Sequence, residues 1–222
     1  MDMAPTARGK AASPPPSKQT LVLLVRHGRT PTTGTLLPGR AKGLRLSPEG
    51  RAEAEAVAER LAGVPIDAIY SSPLERARET ATPLAKARSM SIKVNRGLFE
   101  CEFGDWTGRK LADLAKLPEW ATVQKYPSGF RFPNGESFSE MQTRITGAIA
   151  ELVVRHPGST VALFSHADPI KAAVAHALGT HLDLFQRISI STCSVTAIAY
   201  GPNGPNVLTV NETGNLAALK PS

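Results

Sequence analysis

The segment Leu21-Val22-Leu23-Leu24-Val25-Arg26-His27-Gly28 sets the reading of the whole chain. Five consecutive apolar residues mark a strand covered on both faces, because a strand with one wet face would alternate apolar and polar positions. Such strands sit in the middle of parallel sheets, where ligands gather outside the carboxyl ends. Residues that leave the strand directly, here Arg26 and His27, are therefore the first candidates for chemistry. The same construction recurs at Val161-Ala162-Leu163-Phe164, which runs straight into Ser165-His166-Ala167-Asp168.

Working outward from the first strand, residues 1–19 are rich in Ala, Pro, Ser and Lys and include Pro14-Pro15-Pro16. They lack both apolar periodicity and the apolar core of a secretory signal, and are expected to form a disordered tail ahead of one domain over 20–222. Downstream, Ser47 as N-cap and Pro48 at the first helical position open a helix through Ala54, Val57, Ala58 and Leu61, closed by Gly63. Ile66 to Ser71 reads as a second strand. Ser72-Pro73 then restarts a helix through Leu74, Ala77, Ala81, Leu84 and Ala85. Ser91 to Val94 is a short strand, and residues 99–135 form a long Gly-, Pro- and aromatic-containing excursion with a brief helix near Leu111 to Lys116. Excursions of this length over a parallel sheet commonly act as lids or specificity walls. Phe138, Met141, Ile145, Ile149 and Leu152 mark the next helix, ending before His156. Pro169 to Leu178 gives another, with Ile188 to Tyr200 and Val207 to Val210 as closing strands. Strands alternating with helices predict an α/β fold, a three-layer α/β/α sandwich with a mostly parallel sheet, a lid-like excursion and antiparallel strands at one edge.

Length and composition agree: 222 residues of which 41% are hydrophobic suffice for one domain with a substantial core. The formal charge of +7 raises nucleic acid as a partner. The basic residues are scattered, however, with no Lys/Arg run interleaved with aromatics, so no nucleic-acid partner is expected, and a small anionic substrate explains the charge as well. Two cysteines, Cys101 and Cys193, show no metal-binding or disulfide spacing, which fits a reducing, cytoplasmic setting. No apolar run approaches the ~20 residues of a membrane span. Neither a heptad nor an exposed apolar stripe is evident, so a homo-oligomer is neither indicated nor excluded.

The second strand end delivers Arg76 into the first turn of a helix, where a cation opposes the helix dipole unless an anion lies nearby. Two arginines and two histidines at one sheet edge suit a tetrahedral oxyanion, since guanidinium offers forked donors matched to phosphate oxygens.

Arg26-His27-Gly28, Ser71-Ser72-Pro73-Leu74-Glu75-Arg76-Ala77, Glu100 with Phe103-Gly104-Asp105-Trp106-Thr107-Gly108, and His166 together resemble the histidine phosphatase superfamily, phosphoglycerate mutase-like proteins that include bacterial phosphomutases and phosphatases. The resemblance runs from about Leu21 to Tyr200. It implies a phosphohydrolase acting on a small phosphomonoester: His27 becomes phosphohistidine, Arg26, Arg76 and His166 hold the phosphoryl oxygens, and Glu100 serves as acid and then as base. It also implies that no metal or other cofactor is needed, fixed cationic donors taking the metal's place. For His27 to attack, its reactive nitrogen must be unprotonated and the other must meet a backbone acceptor. For Glu100 to donate, its pKa must be raised. Two positions depart from the family pattern. Thr33 stands where many members carry a phosphate-binding Asn, and Ala167 where Gly usually follows the second His; both are retained as substrate-binding candidates, through a hydroxyl and a backbone N–H.

Other residues take the plainer reading. His156, His176 and His181 are assigned to loops or a helix face, Cys101 to a buried apolar role, and Trp106 to packing under the excursion. Arg29 is divided between pocket and solvent; Trp120, Phe130 and Phe132 are divided between pocket and core. The Pro133-Asn134-Gly135-Glu136-Ser137 turn either approaches the pocket or only caps the next helix. Two further functions stay open: a phosphoglycerate mutase-like phosphomutase, kept alive by Arg109-Lys110, and a noncatalytic phosphate-binding protein.

Overall fold

The computed structural model describes residues 19–214. The expected tail, Gln19 apart, and residues 215–222 of the expected domain lie outside that range.

Six strands form one sheet in the order β3-β2-β4-β1-β5-β6. They are β1 (Thr20–Arg26), β2 (Ala68–Ser71), β3 (Ile92–Val94), β4 (Thr160–Ser165), β5 (Val195–Gly201) and β6 (Gly204–Glu212). The β3/β2, β2/β4 and β4/β1 pairs are parallel, while β5 runs antiparallel to both β1 and β6. Helices α1 (Pro48–Arg60) and α2 (Glu75–Ala87) cover one face. Helices α5 (Phe138–Arg155) and α6 (Ala167–Ala177) cover the other, and the short α3 (Leu111–Leu114) and α4 (Glu119–Lys125) lie in the excursion. The three-layer α/β/α sandwich with a mostly parallel sheet is thus the observed fold.

The apolar run of β1 has the predicted cause. Leu21, Leu23 and Val25 pack with Val57, Leu61, Ala81 and Leu84 of the α1/α2 side, whereas Val22 and Leu24 pack toward Met141, Ile145 and Ile170 of the α5/α6 side. The excursion joins that second core through Cys101, Phe103, Trp106, Phe130 and Phe132, with edge-on contacts such as Phe103–Phe132 at 4.8 Å between centroids.

Register places the site. Arg26 pairs with Ser165 across β1/β4, and Ser71 with Phe164 across β2/β4. The carboxyl ends of these three strands therefore coincide, and His27, His166 and Ser72 emerge side by side.

Several boundaries differ from the sequence reading. Helix α2 starts at Glu75 after an extended Leu74, because the Ser72 hydroxyl is turned to His166 instead of capping a helix. Helix α6 starts at Ala167, two residues before Pro169; a proline in the first turn gives up only an N–H that has no intrahelical partner. Strand β5 starts at Val195, not Ile188, since the preceding segment contains a 3-10 turn (Leu182–Arg187) and Cys193 at φ +51°. Helix α4 was not anticipated: its seven residues offer only Trp120 and Val123 as an apolar stripe, below what periodicity can reveal.

Candidate active site

His27 leaves β1 with its backbone N–H donating to Ser165 O at 3.0 Å. Its side chain is buried, and Nδ1 lies 2.7 Å from Gly28 O. A carbonyl only accepts, so Nδ1 carries the proton and Nε2 keeps a free electron pair. Nε2 faces Arg76, whose Nε donates to it at 3.3 Å. Burial, followed by the charges of Arg76 and Arg26, holds the His27 imidazole well below its usual pKa, so the neutral ring persists into acid. Gly28 is required by close approach: a Cβ there would lie 2.5 Å from Gly50 O, where the loop meets the first turn of α1. The Gly28 N–H also donates to Thr80 Oγ1 on α2, which ties the loop to the helix that carries Arg76.

Arg76 is fully buried, an expensive position for a guanidinium unless its donors are matched. One terminal nitrogen donates to Gly39 O at 2.7 Å, Nε goes to His27, and the remaining terminal nitrogen has no partner. Arg26, at the end of β1, donates to Ile190 O at 2.6 Å and leaves Nε unpartnered. His166 places Nε2 2.8 Å from Ser72 Oγ, which also accepts from Leu74 N at 3.4 Å. With the Ser72 hydroxyl donating to Nε2, the ring carries its proton on Nδ1, which is a buried atom without a partner. The His27 and His166 rings stand 5.1 Å apart between centroids. Among the described residues, four buried side-chain polar atoms lack a partner; three belong to Arg26, Arg76 and His166, and the fourth is Thr107 Oγ1. Buried donors are normally satisfied, so three around one histidine nitrogen form a cradle for an anion's oxygens.

Glu100 lies beyond the 3-10 turn Arg96–Leu98, which Ser165 Oγ anchors by donating to Leu98 O at 2.8 Å. Oε1 of Glu100 accepts from Cys101 N, and Oε2 lies 4.0 Å from His166 Nδ1. Burial, then the nearby Asp168 carboxylate, lifts its pKa to about 7 against the opposing pull of Arg76, Cys101 N–H and Arg26. Asp168 itself pairs with Lys171 at 3.2 Å.

Around the Glu100 peptide lies a denser network. Arg40 donates from Nε to Glu100 O at 2.8 Å and from a terminal nitrogen to Glu136 Oε2 at 3.0 Å. Arg144 on α5 forks onto Glu136, with Nε at 2.8 Å, and its other donors reach the carbonyls of Gly97, Phe99 and Glu100.

Five of the sequence candidates, Arg26, His27, Arg76, Glu100 and His166, are thus brought together. Thr33 is spent locally: its Oγ1 accepts from Thr30 N and shares a bond with the Thr30 hydroxyl, and no hydrogen bond among the described residues joins it to the other five. Ala167 opens α6, so its N–H has no intrahelical acceptor. Arg29 is exposed and paired with Glu53. Cys101 is buried with its thiol pKa pushed up, and Trp106, Phe130 and Phe132 belong to the core. His156 meets Tyr70, His176 is exposed on α6, and His181 caps a 3-10 turn. Ser137 does cap α5, with a full capping box, while its neighbour Glu136 accepts from Glu102 N and meets the Glu100 peptide only through Arg40 and Arg144. Sequence reasoning missed Ser72, Asp168, Arg40, Glu136 and Arg144. Ser72 and Asp168 had a signal, their place just after a buried strand, and Glu136 lies in the turn whose approach to the pocket the sequence leaves open.

Fold and site define an α/β protein with a neutral histidine beside unpartnered buried donors at the carboxyl edge of the parallel strands. Residues 22–213 match the model of the histidine phosphatase superfamily (branch 1), and the chain belongs to that superfamily. It is similar to phosphoserine phosphatase 1 of Hydrogenobacter thermophilus, with 29% identity over 88% of this chain and 93% of that protein. It is also 30% identical to a protein of Enterobacter sp. named as a probable phosphoglycerate mutase, over 81% of this chain and 84% of the other. Among solved structures, a mycobacterial glucosyl-3-phosphoglycerate phosphatase in complex with VO3 superposes with TM-score 0.79 and 26% identity, covering 87% of this chain and 99% of that one. The protein is a phosphohydrolase of the histidine phosphatase type. Among its described residues no helix is long and apolar enough to cross a membrane.

Proposed function

We infer that the protein hydrolyses a small, polar phosphomonoester in two steps through His27. The observation that carries this reading is the His27 ring, protonated at Nδ1 toward Gly28 O and free at Nε2 among the unpartnered donors of Arg26, Arg76 and His166. In the first step the Nε2 electron pair forms the N–P bond as the ester O–P bond breaks, and Glu100, protonated to about pH 7, gives its proton to the leaving oxygen. In the second step the Glu100 carboxylate draws a proton from water, whose oxygen attacks phosphorus; the N–P bond breaks and its electron pair returns to Nε2. Arg26, Arg76 and His166 stabilise the equatorial oxygens, and the Ala167 N–H at the start of α6 is placed to add one donor. Thr33, bonded to Thr30, contributes to the shape of the loop that follows His27. A small phosphomonoester is favoured because the named phosphatase relatives act on phosphoserine and on glucosyl-3-phosphoglycerate. The two unpaired, buried cysteines support a reducing, cytoplasmic setting.

The test is phosphate release from an aryl phosphate and a panel of metabolite phosphates, with chelator present, by wild type and His27→Ala. Expected is release by wild type only, a loss of at least ~10³-fold on removing the nucleophile. Turnover surviving in His27→Ala would end the reading. A second reading, transfer back to a second hydroxyl of the substrate, is supported by the mutase-named relative and by exposed Arg109 and Lys110, whose segment pairs with Leu36–Leu37. Interconversion of phosphoglycerates exceeding phosphate release would favour it.

A further inference from the structure

We propose that Glu136 is a positioning residue for the proton-donating step: through Arg40 and Arg144 its carboxylate fixes the Glu100–Cys101 peptide, and that peptide aims the Glu100 carboxyl. The proposal rests on the reading of Glu100 as general acid.

The geometry is specific. Glu100 lies in a segment outside any helix or strand, so no ladder sets its peptide planes. The carbonyl oxygen of Glu100 accepts from Arg40 Nε at 2.8 Å and from Arg144 at 3.3 Å. The N–H of the same peptide plane, that of Cys101, donates to Glu100 Oε1 at 2.9 Å. Because the peptide is planar, gripping its oxygen also fixes the direction of its N–H, and with it the carboxyl that the N–H holds. Oε2 is then left facing His166 Nδ1, on the side where the anion's donors meet.

Both guanidinium groups share one acceptor, and Arg40 also pairs with Glu102 Oε2 at 3.4 Å. Glu136 takes Arg40 at 3.0 Å, Arg144 at 2.8 and 2.9 Å, and the Glu102 N–H at 3.2 Å. It is only 12% exposed, so solvent screens these pairs weakly. The arginines come from different elements, Arg40 from the loop after β1 and Arg144 from α5, and would repel if the carboxylate that both contact were neutral. Arg144 also holds Gly97 O and Phe99 O, which brings the whole approach to Glu100 under the same control. A general acid works only within hydrogen-bond reach of the leaving oxygen, and misplacement near 1 Å removes much of its effect.

The test separates acid function from general damage by the leaving group, since an acidic phenol leaves with little help and an alkyl alcohol needs the proton. Wild type, Glu136→Gln and Glu100→Gln are compared on p-nitrophenyl phosphate and on an alkyl phosphate, with vanadate inhibition as a measure of the anion site. For Glu136→Gln, kcat/KM, which reads the first step alone, is expected to fall about 10- to 100-fold on the alkyl ester, with less than about threefold change on the aryl ester and unchanged vanadate affinity. Arg40→Lys, which keeps the charge but loses the fork, should show the same bias and carries the test if Glu136→Gln does not fold. Equal losses on both esters, or no loss on either, would overturn the proposal. A Glu100→Gln enzyme without leaving-group bias would overturn the acid reading itself, and the proposal with it; bias in Glu100→Gln alone would overturn only the role of Glu136.

Discussion

Replacing Glu100 by Gln should make the protein more stable at alkaline pH while leaving stability in acid nearly unchanged. In the folded chain the Glu100 pKa stands at about 7, chiefly through burial and secondarily through Asp168, against an ordinary value of 4.5. Between those values the folded state binds the proton and the unfolded state does not, so stability falls as pH rises from 4.5 and the loss is complete above 7. At 1.36 kcal/mol per pKa unit the full loss is about 3 kcal/mol. By the same linkage about 1 kcal/mol is already lost at pH 5, so wild type should lose about 2.5 kcal/mol between pH 5 and pH 8 that a Gln cannot lose. Urea unfolding of both proteins at the two pH values reads this directly, each taken relative to its own value at pH 5. The buffer must be free of phosphate and vanadate, because an anion that binds only the folded site adds its own stabilisation. A gap between variant and wild type that is the same at pH 5 and pH 8 would refute the claim that the folded protein holds Glu100 protonated near neutrality.

Turnover should carry the mark of the same groups. For wild type, kcat/KM should decline above pH about 7 as Glu100 loses its proton, and the acid limb should lie well below pH 6.5, because His27 stays neutral there; stopped assays across pH 4 to 9 (roughly the range that spans both limbs) check this, and an alkaline limb persisting in Glu100→Gln would assign it to another group. Ser72→Ala should leave His166 Nε2 buried without a partner and free the ring to change tautomer, lowering kcat/KM about 10-fold and stability by about 1–3 kcal/mol. Vanadate inhibition and urea midpoints report the two effects, and a Ser72→Ala enzyme equal to wild type in both would show that His166 is oriented by packing alone.

What could be read from sequence was local and strongly patterned. Strand β1 declared itself because both of its faces are covered, and α1 because Ser47, Pro48 and the Ala54/Val57/Ala58/Leu61 stripe all point the same way. The candidate residues at strand exits were legible for a related reason: in a parallel sheet the register of β1, β4 and β2 alone brings His27, His166 and the start of the Arg76 helix to one edge. Glu100 was placed by resemblance, since nothing in its immediate neighbours marks it. Its neighbourhood is assembled by contacts between residues far apart in the chain, Arg40 to Glu100 and Arg144 to Glu100 among them.

Two of the misread boundaries, those of α2 and β5, share one physical origin. Ser72-Pro73 has the composition of a helix start, yet the helix begins at Glu75 because the hydroxyl that would cap it bonds His166 across the sheet. Likewise the stretch before β5 has the apolar content of a strand, but Ile190 gives its carbonyl to the Arg26 side chain and the backbone turns at Cys193, φ +51°, so the antiparallel register with β1 starts only at Val195. In both places a backbone or cap signal yields to the residues around the anion cradle. A sequence pattern weighs a residue against its neighbours in the chain, whereas these residues are committed to partners on other strands. Departures from local rules therefore concentrate where the site is built, which is what a chain shaped to hold one charged group in a dry edge of the sheet should show.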